Sequence, residues 1–230
     1  MLNLSKFEET LGMVFNNKDF LRTALTHRSY LNENPDVGGG HNERLEFLGD
    51  AVLELVITEY LYAKFPEKPE GELTSLRASL VNANMLGVVA SELDFNNFLL
   101  LSRGEAKDIG RARQYILANT FEAVVGAIYL DQGYGPTRDF ILRVLAGKLS
   151  EILEKKLYRD AKSFFQEEAQ ERVGITPTYE VLKEWGPDHD KHFVVGVYLG
   201  KELIAEGEGA SKQEAQQNAA EAALKVKNWG

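Results

Sequence analysis

The chain has 230 residues, enough for one or two domains, and 44% of them are hydrophobic and 27% charged, a balance that supports a packed core and argues against disorder. It contains no cysteine, which excludes disulfides, thiolate metal sites and cysteine nucleophiles and fits a reducing cytoplasm. A net charge of −9 runs against phosphate binding over the whole surface, so a nucleic-acid role would require acids gathered as metal ligands or bases gathered on one face.

The N-terminus, MLNLSKFEET, is charged and lacks an apolar signal core, and apolar runs such as Ala123–Leu130 are too short to span a bilayer. A soluble cytoplasmic protein with no membrane partner is expected. Up to about Glu154 the apolar residues recur at three- and four-residue spacing, through Phe7–Val14, Leu45–Phe65, Leu73–Leu86, Ile116–Leu130 and Phe140–Leu157. Asn16-Asn17, the loop Asn34–Gly40, Pro66, Pro69-Glu70-Gly71 and Gly133–Pro136 mark the boundaries. Nothing there reads as a sheet, so an all-helical domain is expected over 1–153.

A short charged linker, 154–159, precedes a different pattern. A helix near Ala161–Val173 leads into strand-like runs at Thr178–Trp185, His192–Leu199 and Glu202–Glu208, with turns at Gly186-Pro187-Asp188 and Leu199-Gly200-Lys201. Ser211, with Glu214 three residues on, forms a capping box for a last helix running to about Val226. The order α-β-β-β-α defines a second domain, 160–228. Ala210, Ala215, Ala219, Ala220, Ala222 and Ala223 are expected to pack the last helix closely on the sheet.

The most informative segment is Glu43-Arg44-Leu45-Glu46-Phe47-Leu48-Gly49-Asp50. Glu43, Glu46 and Asp50 stand at i, i+3 and i+7, on one face of a helix whose neighbouring residues Leu45, Leu48, Val52 and Leu55 are apolar, so that it is at least half buried. Carboxylates crowded beside a core repel one another, and a divalent cation relieves that repulsion. A second apolar helix adds Asn119 and Glu122 at i and i+3. Hard oxygen donors with neither His nor Cys suit Mg²⁺ or Mn²⁺ and not zinc. The alternative is that these acids are solvated surface charges.

The string Glu43–Asp50 followed by Ala51-Val52-Leu53 resembles the signature helix of the ribonuclease III family. Ala24–Tyr30, Gly71-Glu72-Leu73 and Ile116–Ala123 resemble further segments of that family in the expected order, and the C-terminal part resembles its double-stranded-RNA-binding domain. The resemblance covers nearly the whole chain and implies a metal-dependent endonuclease for double-stranded RNA, acting as a homodimer in rRNA and mRNA processing. It implies a catalytic metal cluster of Glu46, Asp50, Asn119 and Glu122, with Asp50 and Glu122 indispensable and Glu43 and Glu72 as secondary acids. Products would carry 5′-phosphates and short 3′ overhangs, one strand being cut per site. Phe47 matches the side chain that enters a hydrophobic socket on the partner; its alternative is an ordinary core residue. His27 invites an acid–base role, but its segment in the family is structural.

The resemblance also implies RNA contacts at Gln166 and Glu167 on the first helix, at the loop Gly186–Lys191 through His189 and Lys191, and at Ser211 and Lys212, where a helix N-terminus favours phosphate. Lys107, Arg111 and Arg113 are either further phosphate contacts or solvated loop charges. The family most often carries Asp where this chain has Asn119. A competing reading is therefore a double-stranded-RNA-binding protein whose chemistry is weakened.

Overall fold

The computed structural model describes residues 2–154, 160–187 and 191–229. Its contacts gather into two units, Met1–Tyr158 and Arg159–Gly230, each with its own buried apolar cluster. The expected linker 154–159 lies outside the described residues except for Glu154, which ends a helix.

The first unit is helical: α1 (Leu4–Leu11), α2 (Lys18–Ala24), α3 (Arg28–Glu33), α4 (Glu43–Lys64), α5 (Glu70–Val81), α6 (Ala83–Glu92), α7 (Arg111–Gln132), α8 (Tyr134–Leu145) and α9 (Lys148–Glu154). Among the described residues its only β feature is an isolated bridge between Thr26 and Leu100, and no helix is long and apolar enough to cross a membrane.

Three differences from the periodic pattern have local causes. The run Leu73–Leu86 is two helices, because Asn82 adopts an extended backbone and its side chain accepts the Met85 N–H at 2.9 Å, capping α6. The run from Phe140 likewise divides between α8 and α9. Short α2 and α3 arise where little apolar periodicity is visible: Asn17 caps α2 through the Asp19 N–H, and His27 caps α3 through the Ser29 N–H.

The core centres on α7, apolar around most of its circumference. Leu117, Phe121, Val124, Val125 and Ile128 are all buried, the mark of a helix surrounded by others. A ladder of rings runs Phe7–Phe95–Phe121–Phe140, with centroids 4.9, 6.1 and 6.0 Å apart. It ties the N-terminal helix to the centre at favourable aromatic separations.

The long helices α4 and α7 cross on a pair of glycines. A Cβ added at Gly49 would overlap the Glu122 carbonyl and stand 2.8 Å from the Gly126 nitrogen. One added at Gly126 would overlap the Leu45 carbonyl and stand 3.1 Å from the Gly49 nitrogen. Neither backbone could come this close with a side chain in between.

The second unit has α10 (Ala161–Val173), β1 (Thr178–Trp185), β2 (His192–Leu199), β3 (Glu202–Gly209) and α11 (Lys212–Lys227). The strands form an antiparallel sheet in the order β1-β2-β3. On its inner face Val195 and Val197 are fully buried. A Cβ at Gly207 would overlap the Ala219 nitrogen, so α11 lies directly on β3. Ala215, Ala219, Ala220 and Ala223 are buried as expected. Ala222 is only partly buried, because a helix turns only part of its circumference to a sheet, and Ala210 is exposed because it precedes the helix and its cap. Beyond α11, Trp229 stacks on Phe165 at 5.4 Å.

Candidate active site and nucleic-acid interface

The glycine crossing sets the geometry of the acidic patch. Glu46 lies one turn before Gly49 on α4 and Asp50 directly after it, while the Glu122 carbonyl packs against Gly49 itself. Glu46 and Glu122 are partly buried; Asp50 and Asn119 are exposed.

The electrostatics show that these acids share one field. The carboxyl of Glu122 is pushed up to about 7, first by burial and then by the charges of Asp50 and Glu46. That of Glu46 is raised by burial, then by Glu43 and Asp50. Burial and like charge both disfavour the ionised form. Among the described residues, Glu46, Asp50 and Glu122 have no ion-pair partner.

Glu43 and Glu72 differ. Glu43 has Arg28 at 3.4 Å and His41 at 3.7 Å, and Glu72 is paired with Lys68. Each secondary acid thus has its own cation, whereas the other three carboxylates lack one. Glu72 contributes nothing to the raised carboxyls of Glu46 or Glu122.

The donor set fits a hard divalent ion. Every donor is a carboxylate or amide oxygen, and the proton uptake favoured at Glu122 is the response of a carboxylate short of positive charge. As the side chains stand, no three acids or histidines among the described residues are drawn together tightly enough to hold an ion; mutual repulsion favours spread rotamers over a shared patch.

His27 is structural in its contacts. Its Nδ1 lies 2.8 Å from the Ser29 hydroxyl and accepts the Ser29 N–H at 3.3 Å, and burial lowers its pKa. Arg113 donates from Nε to Asn96 at 2.8 Å; Lys107 and Arg111 are exposed.

Phe47 is not a core residue: 82% of it is exposed. Beside it lies a largely apolar hollow of about 740 Å³, lined by Phe20, Leu45, Leu48 and Leu130 with His41, Glu43 and Arg44 also in its wall. An exposed aromatic ring next to an apolar hollow is self-complementary, as a two-fold interface requires.

In the second unit, Gln166 and Glu167 are exposed on α10. Ser211 caps α11, accepting the Glu214 N–H at 3.1 Å, while Glu214 accepts the Ala210 N–H at 2.9 Å. Lys212 lies over the Phe193 ring at 5.6 Å, and Lys191 stands 4.0 Å from Glu184. The expected contact His189 lies outside the described residues. Sequence reading missed Lys162, which reaches Gln216 at 2.8 Å and lies over the Tyr179 ring at 5.0 Å, joining α10 to α11 and the sheet. It also missed Glu8, whose buried carboxylate accepts the Phe15 N–H at 2.9 Å and pairs with Lys18 at 2.7 Å. The only sequence signal at Glu8 is an acid on the apolar face of α1.

Comparison with known proteins agrees with this architecture. Residues 17–149 match the family described as Ribonuclease-III-like, and residues 161–227 match the double-stranded RNA binding motif. The chain is 46% identical over 223 residues to Ribonuclease 3 of Borreliella afzelii, covering 97% of this chain and 91% of that protein. It is 48% identical over 218 residues to Ribonuclease 3 of Natranaerobius thermophilus, covering 95% and 94%. The crystal structure of the nuclease domain of ribonuclease III from Campylobacter jejuni superposes with a TM-score of 0.57 at 40% identity, over 64% of this chain and 97% of that one. A second structure of that domain, described for flexibility in its region involved in dimer formation, gives the same TM-score and identity. On these matches, which take in both units, the chain belongs to the ribonuclease III family of double-strand-specific endoribonucleases.

Proposed function

We propose that this protein hydrolyses phosphodiester bonds of double-stranded RNA with Mg²⁺, for which Mn²⁺ can substitute, leaving 5′-phosphates and short 3′ overhangs. Glu46, Asp50, Asn119 and Glu122 hold the metal, with Asp50 and Glu122 indispensable. The observation that carries this reading is the Gly49–Gly126 crossing, which sets unpaired acids from two helices into one electrostatic patch. The chemistry a bound divalent ion supplies is charge stabilisation at the scissile phosphate and a more acidic water. The chain's own part is positional. Glu46 and Glu122, partly buried, are held by the crossing, and exposed Asp50 and Asn119 complete the rim towards substrate. Glu43 and Glu72 are secondary acids: Glu43 adds to the field at Glu46, and Glu72 is tied to Lys68.

The nuclease domain spans 1–153, and the RNA-binding domain, 160–228, is joined to it by the linker 154–159. The second domain holds the duplex by shape through Gln166, Glu167, His189, Lys191, Ser211 and Lys212. Two copies pair through Phe47, so that two sites face the two strands of one duplex. The setting is the cytoplasm, in processing of rRNA and mRNA.

Glu122→Gln keeps the shape of the side chain and removes one charged donor. Cleavage of a long duplex in Mg²⁺ should fall by at least about a hundredfold, as for loss of about 3 kcal/mol of transition-state stabilisation, while duplex binding by mobility shift stays within about twofold. Cleavage at the wild-type rate would overturn the assignment.

A further inference from the structure

A sheet with helices on one face normally presents polar side chains on the other. The outer face of this sheet does not. In β2, buried Val195 and Val197 point inward, so Val194, Gly196 and Tyr198 belong to the outer face. Gly196 is nonetheless buried, because side chains close over it. A Cβ there would lie 2.8 Å from Leu203, 3.0 Å from Leu182 and 3.1 Å from Tyr198. Leu182 reaches this position from a register shift between Val181 and Lys183, and a second shift sets Leu203 opposite Tyr198. Leu182 remains 37% exposed and Leu203 42%. Two irregularities in the strands thus build an apolar platform on the side away from α10 and α11.

Its charge is as specific as its shape. Gly196 pairs with Glu180 on β1 and with Glu206 on β3. Residues directly opposite share a face, so two glutamates flank the platform, on strands about 10 Å apart. Neither makes an ion pair among the described residues. In the neighbouring row Lys183 and Glu208 flank Val194 and offset one another, leaving Glu180 and Glu206 as the net charge.

We propose that this outer sheet face docks a protein segment that presents basic and apolar side chains together, its apolar groups on Leu182, Tyr198 and Leu203 and its cations at Glu180 and Glu206. Phosphate is repelled by this pair of acids, so the face is no extension of the RNA surface. A second copy of this acidic chain would meet like charge. Since the residues assigned to RNA lie on α10, between β1 and β2 and around the start of α11, and none is in the Glu180–Gly196–Glu206 row, the segment can bind while a duplex is held.

The probe is the acetylated, amidated peptide Lys-Ser-Leu-Ser-Lys-Ser-Leu, which as an extended strand carries Lys and Leu on one face. Amide shifts of the ¹⁵N-labelled full chain are followed during titration, with and without a short RNA duplex. Saturable shifts at Leu182, Gly196 and Leu203 are expected, unaltered by the duplex. Peptides with Glu for Lys or with Ser for Leu should bind at least about tenfold more weakly. The double variant Glu180→Lys with Glu206→Lys should weaken the parent peptide by a similar factor while cleavage of long duplexes is retained. Because both acids are exposed, this variant should fold; Leu203→Ser is the second, uncharged probe of the face.

The proposal is overturned if the charge-reversed protein binds the peptide as well as wild type. It is overturned equally if the duplex alone shifts the Leu182, Gly196 and Leu203 amides, which would make this an RNA surface. Concentration-dependent self-association abolished by Leu203→Ser would assign the face to a second copy and also overturn it.

Discussion

Gly49 and Gly126 face one another where α4 crosses α7, and neither has room for a side chain: a Cβ on Gly49 would overlap the Glu122 carbonyl and lie 2.8 Å from the Gly126 nitrogen, and one on Gly126 would overlap the Leu45 carbonyl and lie 3.1 Å from the Gly49 nitrogen. The contact carries no catalytic group, yet it sets the separation of Glu46 and Asp50 from Glu122.

Gly126→Ala should therefore damage the fold and the site together. The obstructing atoms are backbone, which cannot move aside as a side-chain tip could. The expected destabilisation is about 1–3 kcal/mol or more, read as a lower urea midpoint. Cleavage should fall further than the folded fraction does, since the helices can accept the methyl only by separating. A variant of wild-type stability and activity would show that the crossing is looser than it stands here.

Phe47→Ala tests the exposed ring. An 82% exposed side chain contributes little to the fold of its own chain, so thermal stability at low protein concentration should change by less than about 0.5 kcal/mol. Self-association should weaken by at least about tenfold, a cost near 1.4 kcal/mol, measured by sedimentation equilibrium. A core role would give the reverse: an unfolded chain and no specific effect on assembly.

Glu8 supplies a pH-dependent part of the stability. Burial raises its carboxyl, but the Lys18 hydrogen bond, the Phe15 N–H and the Lys18 charge together outweigh that, and the net shift is below the ordinary value of 4.5. A depressed carboxylate contributes stability above its unfolded value, and the contribution is lost as pH falls through the folded one. Glu8→Gln should cost on the order of 1–3 kcal/mol at pH 7, typical of a charged hydrogen bond removed from a buried site. The difference between variant and wild type in urea should shrink as pH drops below 4.5. A cost independent of pH would assign the effect to packing alone.

Asn119→Asp adds a negative charge on the exposed rim beside Glu122. Since metal affinity rises with ligand charge, the Mg²⁺ concentration for half-maximal cleavage should fall by roughly tenfold, equivalent to about 1.4 kcal/mol. Carboxylate crowding works against this at low pH, so the titration belongs at about pH 8 and fixed ionic strength. An unchanged Mg²⁺ requirement would remove Asn119 from the donor set.

Much of the architecture follows from local pattern. The 3.6-residue period of Leu45–Phe65 and Ile116–Leu130, the alternation of His192–Leu199 and the Ser211–Glu214 box are properties of short stretches, and α4, α7, β2 and the α11 cap appear where those stretches lie. The same periodicity put Glu46 and Asp50 on one helix face and Asn119 and Glu122 on another, because a helix face depends only on spacing. Where a single side chain redirects the backbone, as at Asn82 or His27, pattern over a window averages the signal away.

What the tertiary structure alone decided is which faces meet and which charges find partners. Phe47 has the same helical phase whether it lies inside or outside; only the packing of α4 against the rest of the unit leaves it 82% exposed. Glu43 and Glu46 are alike in the sequence, but Arg28 and His41 reach only Glu43, so one acid is compensated and the other is pushed towards its protonated form. Gly49 and Gly126 are 77 residues apart, and no local pattern states that two glycines share one contact. Helix and strand formation reward interactions over a few residues, whereas burial, ion pairing and backbone contact depend on groups brought together from distant parts of the chain.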